Sequence, residues 1–295
     1  MYLGIEIGGT KLQAGLGRGD GVLAARWRSE VERNSGAAGI LRQLQSAIPG
    51  FLADAGTDLA DVSAIGIGFG GPIDDANRSA LKSHQIGGWD GFRLADWAED
   101  RFGRPCVVGN DADVAGLAEA RIGAARGLSP VFYITIGSGI GGGLIIDGRI
   151  YRGVGRGAGE IGHCRIRDGA AAPVLEACCS GWAIERAWTE RAGEAVACRE
   201  LADRARRGDI AVRDFLHERW GWLADAVARI VALVCPRRIV IGGGVALMGD
   251  DVLFHPLRRL VAERVFAPFA DCFEIVPAAL GEKVVVHGAI ALAAG

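Results

Sequence analysis

Short apolar blocks separated by glycines open the chain. Tyr2–Ile7, Lys11–Leu16 and Val22–Trp27 flank a Gly8-Gly9-Thr10 turn and a Gly17–Gly21 turn, which predicts a meander of three antiparallel strands. The spacing then changes. Ile40, Leu41, Leu44, Ile48, Phe51 and Leu52 recur at the period of an amphipathic helix, and Val62–Phe69 follows as a buried strand ended by Gly70-Gly71-Pro72. Leu94–Phe102 reads as a helix, Cys106–Gly109 as a short strand, and Asn110-Asp111 opens a helix running to about Ile122.

The opening plan then recurs. Val131–Ile136, a glycine loop, Gly143–Ile146, an Asp147-Gly148 turn and Arg149–Tyr151 repeat the strand, glycine turn and strand of the N-terminus. Sequence identity between the two segments is slight, so the reading is a duplicated architecture and not a duplicated sequence. Helical periodicity dominates from Gly181 to Val234, Ile239–Ile241 is a strand before Gly242-Gly243-Gly244, and Val284–Ala294 closes the chain as a helix.

Composition narrows the class. The 295 residues include 46 glycines, about twice the ~7% of an average protein, which points to tight turns or ligand loops. Half the residues are hydrophobic and the formal net charge is −2, a balance that fits a folded chain and argues against disorder. The length lies where single cores stop growing, so two domains are expected. No basic run suggests nucleic acid. The longest uncharged stretch, Gly127–Ile146, contains six glycines and a proline, which makes it a poor membrane span. Nothing at the N-terminus reads as a secretory signal. Seven cysteines without a CxxC pair suit reduced thiols in the cytoplasm better than a disulfide framework.

Several segments could carry chemistry. Backbone N–H groups of Gly8-Gly9-Thr10-Lys11 can converge on a phosphate without Cβ obstruction, although the same residues equally make an ordinary hairpin turn. Gly137-Ser138-Gly139 again follows a strand. Two such loops facing one another would hold a polyphosphate, and Gly242–Gly244 would leave a flat surface for adenine or ribose. Asp111 stands at a strand-to-helix junction, where a capping role is the ordinary reading. Glu160 and His163 lie three positions apart in a glycine-rich segment, a combination suited to sugar hydroxyls and equally compatible with a solvated loop.

Taken together these segments resemble the ROK family of sugar kinases and regulators, within the actin-like ATPase superfamily that includes hexokinase. The resemblance rests on Ile5–Lys11, Gly66–Asp74 (GIGFGGPID), Gly109–Glu119 (GNDADVAGLAE), Thr135–Gly143, Gly157–His163 (GAGEIGH), Leu175–Gly181 (LEACCSG) and Pro236–Val245 (PRRIVIGGGV), all in family order. It implies an α/β, two-domain actin-like ATPase (ribonuclease H-like) fold with a cleft between the lobes. Residues 1–111, joined by the closing helix 284–295, would form one lobe, and residues 112–283 the other.

The implied activity is ATP-dependent phosphorylation of a hexose, glucose first, with fructose, mannose or an N-acetylhexosamine as alternatives. Gly8, Gly9, Thr10, Lys11, Gly137, Ser138 and Gly139 would hold ATP phosphates, with Gly243 and Gly244 near the adenosine. Asp111 would be the general base, and Gly71, Asn110, Glu160, His163 and Glu176 would contact the sugar. Glu6 would lie near Mg²⁺ through water. Such enzymes act on small molecules, and a homodimer is implied.

The rival reading is a non-catalytic sugar sensor of the same family. Its winged-helix segment would precede a phosphate loop that here starts at residue 4, and Asp111 is retained, so catalysis is expected. Two departures stand out. The three-cysteine zinc segment is replaced by CRIRDGAAAPV at Cys164–Val174, with Cys178 and Cys179 as neighbouring, small buried side chains, so structural zinc is expected to be absent. A bridging loop at Asp168–Pro173 would take its place. Gln85 stands where the family often has asparagine.

Overall fold

A computed structural model describes residues 1–32, 35–83, 85–166 and 172–295. The chain begins with strands β1 (Tyr2–Ile7), β2 (Lys11–Gly17) and β3 (Leu23–Glu30), helix α1 (Gly36–Asp54) and strand β4 (Ala64–Phe69). A small hairpin, β5 (Ile73–Asp74) and β6 (Ser79–Ala80), precedes helix α2 (Leu94–Phe102) and strand β7 (Cys106–Asn110). Helix α3 (Asp111–Ile122) leads to β8 (Val131–Ile136), β9 (Ile140–Ile146) and β10 (Arg149–Ile150). Then come α4 (Glu176–Cys179), α5 (Gly181–Ala192), α6 (Cys198–Arg206), α7 (Ile210–Val234), β11 (Arg238–Gly242), α8 (His255–Ala262), β12 (Glu274–Pro277) and α9 (Val284–Ala294).

Two sheets of one plan result. Their orders are β3-β2-β1-β4-β7 and β10-β9-β8-β11-β12. In each, the first three strands form an antiparallel meander and the last two join in parallel. The duplication read from the sequence is therefore one of topology. Central strands β1 and β4 are buried almost throughout, whereas edge strand β3 alternates between half-buried and exposed positions. Parallel strands covered on both faces need continuous apolar runs, and an edge strand needs only alternation.

Helices α3 and α9 lie between the sheets. Helix α9 packs on β1, β4, β2 and β7, α3 packs on β8 and β9, and the two helices pack on each other. Their shared core holds Val114, Leu117, Tyr133, Ile145, Val240 and Ala289. Helix α9 is apolar nearly all round, as expected of a helix with no solvent face, whereas α3 is buried from Ala112 to Ala120 with Asp113 and Glu119 inside that run. Glycines allow the close approach: a methyl on Gly288 would sit 1.8 Å from Val114 O, and one on Gly66 would sit 1.9 Å from Ala289 O.

Several expectations needed correction. The glycine run was expected to be a loop as far as Gly143, but β9 begins at Ile140. Gly141, Gly142 and Gly143 are strand residues whose missing side chains let α3 and the segment around Gly159 rest on the strand; a methyl on Gly143 would sit 2.8 Å from Asp113 Cα. The helical stretch from Gly181 to Val234 is three helices, broken by Gly193 and Gly208, both at positive φ. Hairpin β5–β6, α8 and β12 had no counterpart in the sequence reading. The expected Asp168–Pro173 bridge lies largely outside the described residues. Its flanks pair, with Leu175 N donating to Cys164 O at 2.8 Å.

Glu119, fully buried near the end of α3, accepts from the backbone N–H groups of Ala124 at 2.7 Å and of Ala279 and Leu280 at 2.9 Å each. It thus ties the loop before α9 to α3. Glu119→Ala would take the acceptor from three partly buried backbone donors, and a hydrogen bond to a charged group contributes about 1.5–3 kcal/mol. Urea unfolding should show a loss of about 3 kcal/mol or more; a loss below about 1 kcal/mol would remove Glu119 from this role.

Candidate functional site

The parallel strands end along two rims, the place where open α/β sheets bind ligands. In the first sheet Ile7, Phe69 and Asn110 form one row, so Gly8, Gly70 and Asp111 follow along one edge. Gly8 N donates to Lys11 O at 3.1 Å, closing the first glycine turn, and Gly70 N donates to Ile7 O at 2.9 Å. Gly70 separates two groups of interest. A methyl there would sit 3.6 Å from Asp111 Oδ2 and 3.7 Å from Gly8 Cα.

In the second sheet Gly242 pairs with Thr135, which brings the second and third glycine turns side by side. Gly243 adopts a φ of +88°, and a methyl there would sit 2.5 Å from Ile136 O. Nothing lies near the corresponding position on Gly244, which faces open space. The second turn is closed by Gly137 N donating to Gly139 O at 2.9 Å, and Gly137 O accepts from Gly181 N at 2.7 Å at the start of α5.

Gln85 bridges the two rims. Its Nε2 donates to Ser138 Oγ at 3.3 Å, while a methyl on Gly9 would sit 1.7 Å from its Oε1. The sequence marked Gln85 only as a departure, since nothing local places a loop residue between two turns more than fifty residues apart.

Asn110, and not Asp111, caps α3. Its Oδ1 accepts from Ala112 N at 2.9 Å and Asp113 N at 3.3 Å, and its Nδ2 donates to Gly71 O at 3.0 Å. Gly71 sits in a tight turn where a methyl would lie 2.2 Å from Lys82 O. Asp111 is the first residue of the helix, partly buried, with Oδ1 accepting from Ala112 N at 2.8 Å. Burial, then the nearby Glu6 charge, pushes its carboxyl up to about 7. Such a group changes charge in the neutral range.

Glu6 is buried beside the first turn. Lys11 Nζ lies 3.2 Å from Oε1, and Gln13 Nε2 donates to Oε2 at 2.7 Å. Burial holds the Glu6 carboxyl above its ordinary value, opposed by the Lys11 charge. Thr10 is exposed, and its carbonyl accepts from Val31 N at 3.0 Å.

The Gly157–His163 segment lies against β9 through backbone contacts. A methyl on Gly142 would sit 2.2 Å from Gly159 O, and one on Gly162 would sit 2.1 Å from Ile140 O. Glu160 Oε2 lies 3.6 Å from His163 Nδ1, and both side chains are about half exposed. Glu176, at the start of α4, accepts from Ile140 N at 2.7 Å through Oε2. A methyl on Gly139 would sit 2.5 Å from that oxygen. Strand β9 therefore gathers the second glycine turn, Glu160, His163 and Glu176 at its first residues.

Of the adjacent cysteines, Cys179 is buried and Cys178 partly so, whereas Cys164 is exposed. Among the described residues no group of three or more His, Cys, Asp or Glu side chains is placed to hold a metal ion. None of the described helices is long and apolar enough to cross a membrane.

Asp113 was not singled out in the sequence. It is 4% exposed, and its Oδ1 is buried with no hydrogen-bond partner. Burial pushes its carboxyl up to about 8, opposed by the Arg152 charge. Asp113 follows the reading of Asn110-Asp111 as a helix opening by only two positions, and the sequence shows it as an ordinary acidic first-turn residue. Only the packing of α3 on β9 reveals its burial.

The ROK family model matches residues 2–295. A glucokinase of Halalkalibacterium halodurans is 29% identical, over 97% of this chain and 93% of that protein. A kanosamine kinase of Amycolatopsis mediterranei is 32% identical, over 99% of this chain and 95% of that protein. The crystal structure of a ROK family glucokinase from Streptomyces griseus, in complex with glucose and AMPPNP, is 30% identical and superposes with a TM-score of 0.84, covering 99% of this chain and 98% of that one. With the family model matching nearly the whole chain and a superposition on neighbours of the actin-like ATPase fold, the chain belongs to the ROK family.

Proposed function

We propose that this protein is an ATP-dependent sugar kinase that phosphorylates a hexose, converting glucose to glucose 6-phosphate. The observation that carries the reading is Asp111, set across Gly70 from the first glycine turn with a carboxyl that titrates near neutrality. The similar glucokinases and the glucose complex of the Streptomyces griseus relative support glucose. The kanosamine kinase relative favours an aminohexose as the second reading. In this reading residues 1–111 with 284–295 form one lobe and residues 112–283 the other, with the substrates between them.

Phosphoryl transfer needs alignment and charge neutralisation more than covalent help from the protein. The turns Gly8–Lys11 and Gly137–Gly139, each closed by the N–H of its first glycine, cradle the phosphates, and Gly243–Gly244 receives the adenosine. Asn110, Gly71, Glu160, His163 and Glu176 bind the sugar hydroxyls. The sugar oxygen attacks the γ-phosphorus, the bond from that phosphorus to the ADP oxygen breaks, and the hydroxyl proton passes to Asp111 Oδ2. Mg²⁺ carried by ATP would neutralise phosphate charge. Glu6 suits it as a hard oxygen donor acting through water, because Lys11 and Gln13 already occupy its own oxygens. His163 takes its orientation from Glu160 and the packing of its segment, without zinc.

Asp111→Asn keeps shape and polarity but accepts no proton, and loss of a general base costs about 10²–10⁴-fold. Turnover should fall in that range while calorimetric titration still shows sugar binding; a variant keeping more than about a tenth of wild-type kcat takes Asp111 out of this role. Because the ionised form is the base, wild-type kcat/KM for sugar should be flat at high pH and fall below about pH 7. A profile flat between pH 5 and 8 would contradict the assignment. Glu176→Gln should chiefly raise the sugar KM, and an altered ATP KM with a normal sugar KM would move Glu176 to the nucleotide side.

A further inference from the structure

Hairpin β5–β6 and the segment from Tyr151 to Glu160 lie far apart in sequence, with Asp75 and Arg152 separated by 77 positions, yet they are bound together. Arg152 Nη1 pairs with Asp75 Oδ1, with both side chains little more than a quarter exposed. Asp75 N donates to Gly155 O at 3.0 Å. Arg156 Nη2 lies 3.4 Å from Oδ2 of Asp74, whose carboxylate is in turn held by Asn77 N at 3.1 Å and Asn77 Nδ2 at 3.2 Å.

Arg152 also lies near a third element. Its Nη2 lies 3.8 Å from the position of a methyl on Gly109, the residue before Asn110 at the end of β7. Beneath the pair is a small cavity lined by Asp75, Asn110, Asp113, Arg152, Arg156 and Glu160. Asp113 lines it with a buried oxygen that has no partner, so Arg152 is also the nearby cation for a second carboxylate. One guanidinium, carried by the segment that holds Glu160, therefore pairs with the hairpin and shares a cavity with Asn110 at the end of β7.

We infer that Arg152, through its pair with Asp75, is a positioning residue that sets the Glu160 segment against Asn110 and Asp111 and so governs sugar affinity. The inference rests on the assignment of Glu160 to the sugar. A partly buried pair with additional backbone bonds holds geometry better than an exposed one, since its guanidinium has a single well-defined place. Loss of the pair leaves both glycine turns untouched, so nucleotide binding should not follow.

The test is a double-mutant cycle on Arg152→Gln and Asp75→Asn, read by sugar KM, ATP KM and thermal unfolding. Each single variant should raise the sugar KM about tenfold with the ATP KM changed less than about twofold, and the double variant should be no worse than either single one, as for groups acting through one interaction. Effects that multiply to about a hundredfold in the double variant, an ATP KM rising in step with that of the sugar, or an unchanged sugar KM would each overturn the inference. If Arg152→Gln does not fold, Asp75→Asn removes the same pair with an amide of the same shape. Glu160→Gln separates the two levels. If it leaves the sugar KM unchanged, the sugar assignment fails, whereas a raised sugar KM there with none in Asp75→Asn defeats the positioning role alone.

Discussion

The close crossing of α3 and α9 is the constraint on which the rest depends. A helix pair can lie between two sheets at this distance only if side chains are missing where backbones meet, and Gly288 against Val114 O, Gly66 against Ala289 O and Gly143 against Asp113 Cα supply those gaps. Interiors are packed too densely for even one added methyl to be absorbed at under 3 Å without a shift of backbone. That crossing fixes the start of α3, hence the place of Asn110 and Asp111 relative to both rims.

The repeated sheet plan explains why the rims are alike and the chemistry on them is not. Each sheet ends its parallel strands in glycine turns, which offer N–H groups without side-chain bulk. Carboxylates are unevenly distributed. Glu6 and Asp111 sit on the first rim, where burial and mutual repulsion raise the Asp111 carboxyl into the neutral range. Lys11 and Gln13 hold Glu6 from within the protein. The first rim thus combines a group able to take a proton with a cation beside the glycine turn, while the second combines glycines with the hydroxyl of Ser138 and a Glu176 carboxylate bound to Ile140 N.

Much of this was legible from residue order because the signals were local. The opening meander, α1, α2, β7, α3 and α9 follow from periodicity and punctuation, and the two glycine turns stand out as turns. The missed features depend on contacts distant in sequence. Gly141 and Gly142 look like loop residues because their reason, Ala112 of α3 and the backbone of Gly159 lying against β9, is nowhere in the local pattern. Asp111 looked like a cap, since Asn and Asp are both favoured there, and only coordinates show that Asn110 takes the bonds. Glu119 ended a recognisable motif, but its three amide partners belong partly to residues 160 positions away. Strand β12 pairs with β11 across α8, and four residues, Glu274–Pro277, are too short for a period to declare itself.

Backbone contact also accounts for how a segment whose regular structure is one short 3-10 turn, Ile161–His163, can hold Glu160 and His163 in place. Gly159 and Gly162 meet Gly142 and Ile140 main chain to main chain, at separations where no side chain fits. Leu175 N returns to Cys164 O, so the chain leaving the segment is tied to the chain that re-enters before Glu176. Ile161 is buried in one apolar cluster with Leu175 and Cys179. A side chain carried on backbone pinned at two glycines has few ways to move, and the residual freedom lies on the side away from β9. There the segment faces Asp74 and Asp75, so charge on the hairpin is the remaining lever on its position.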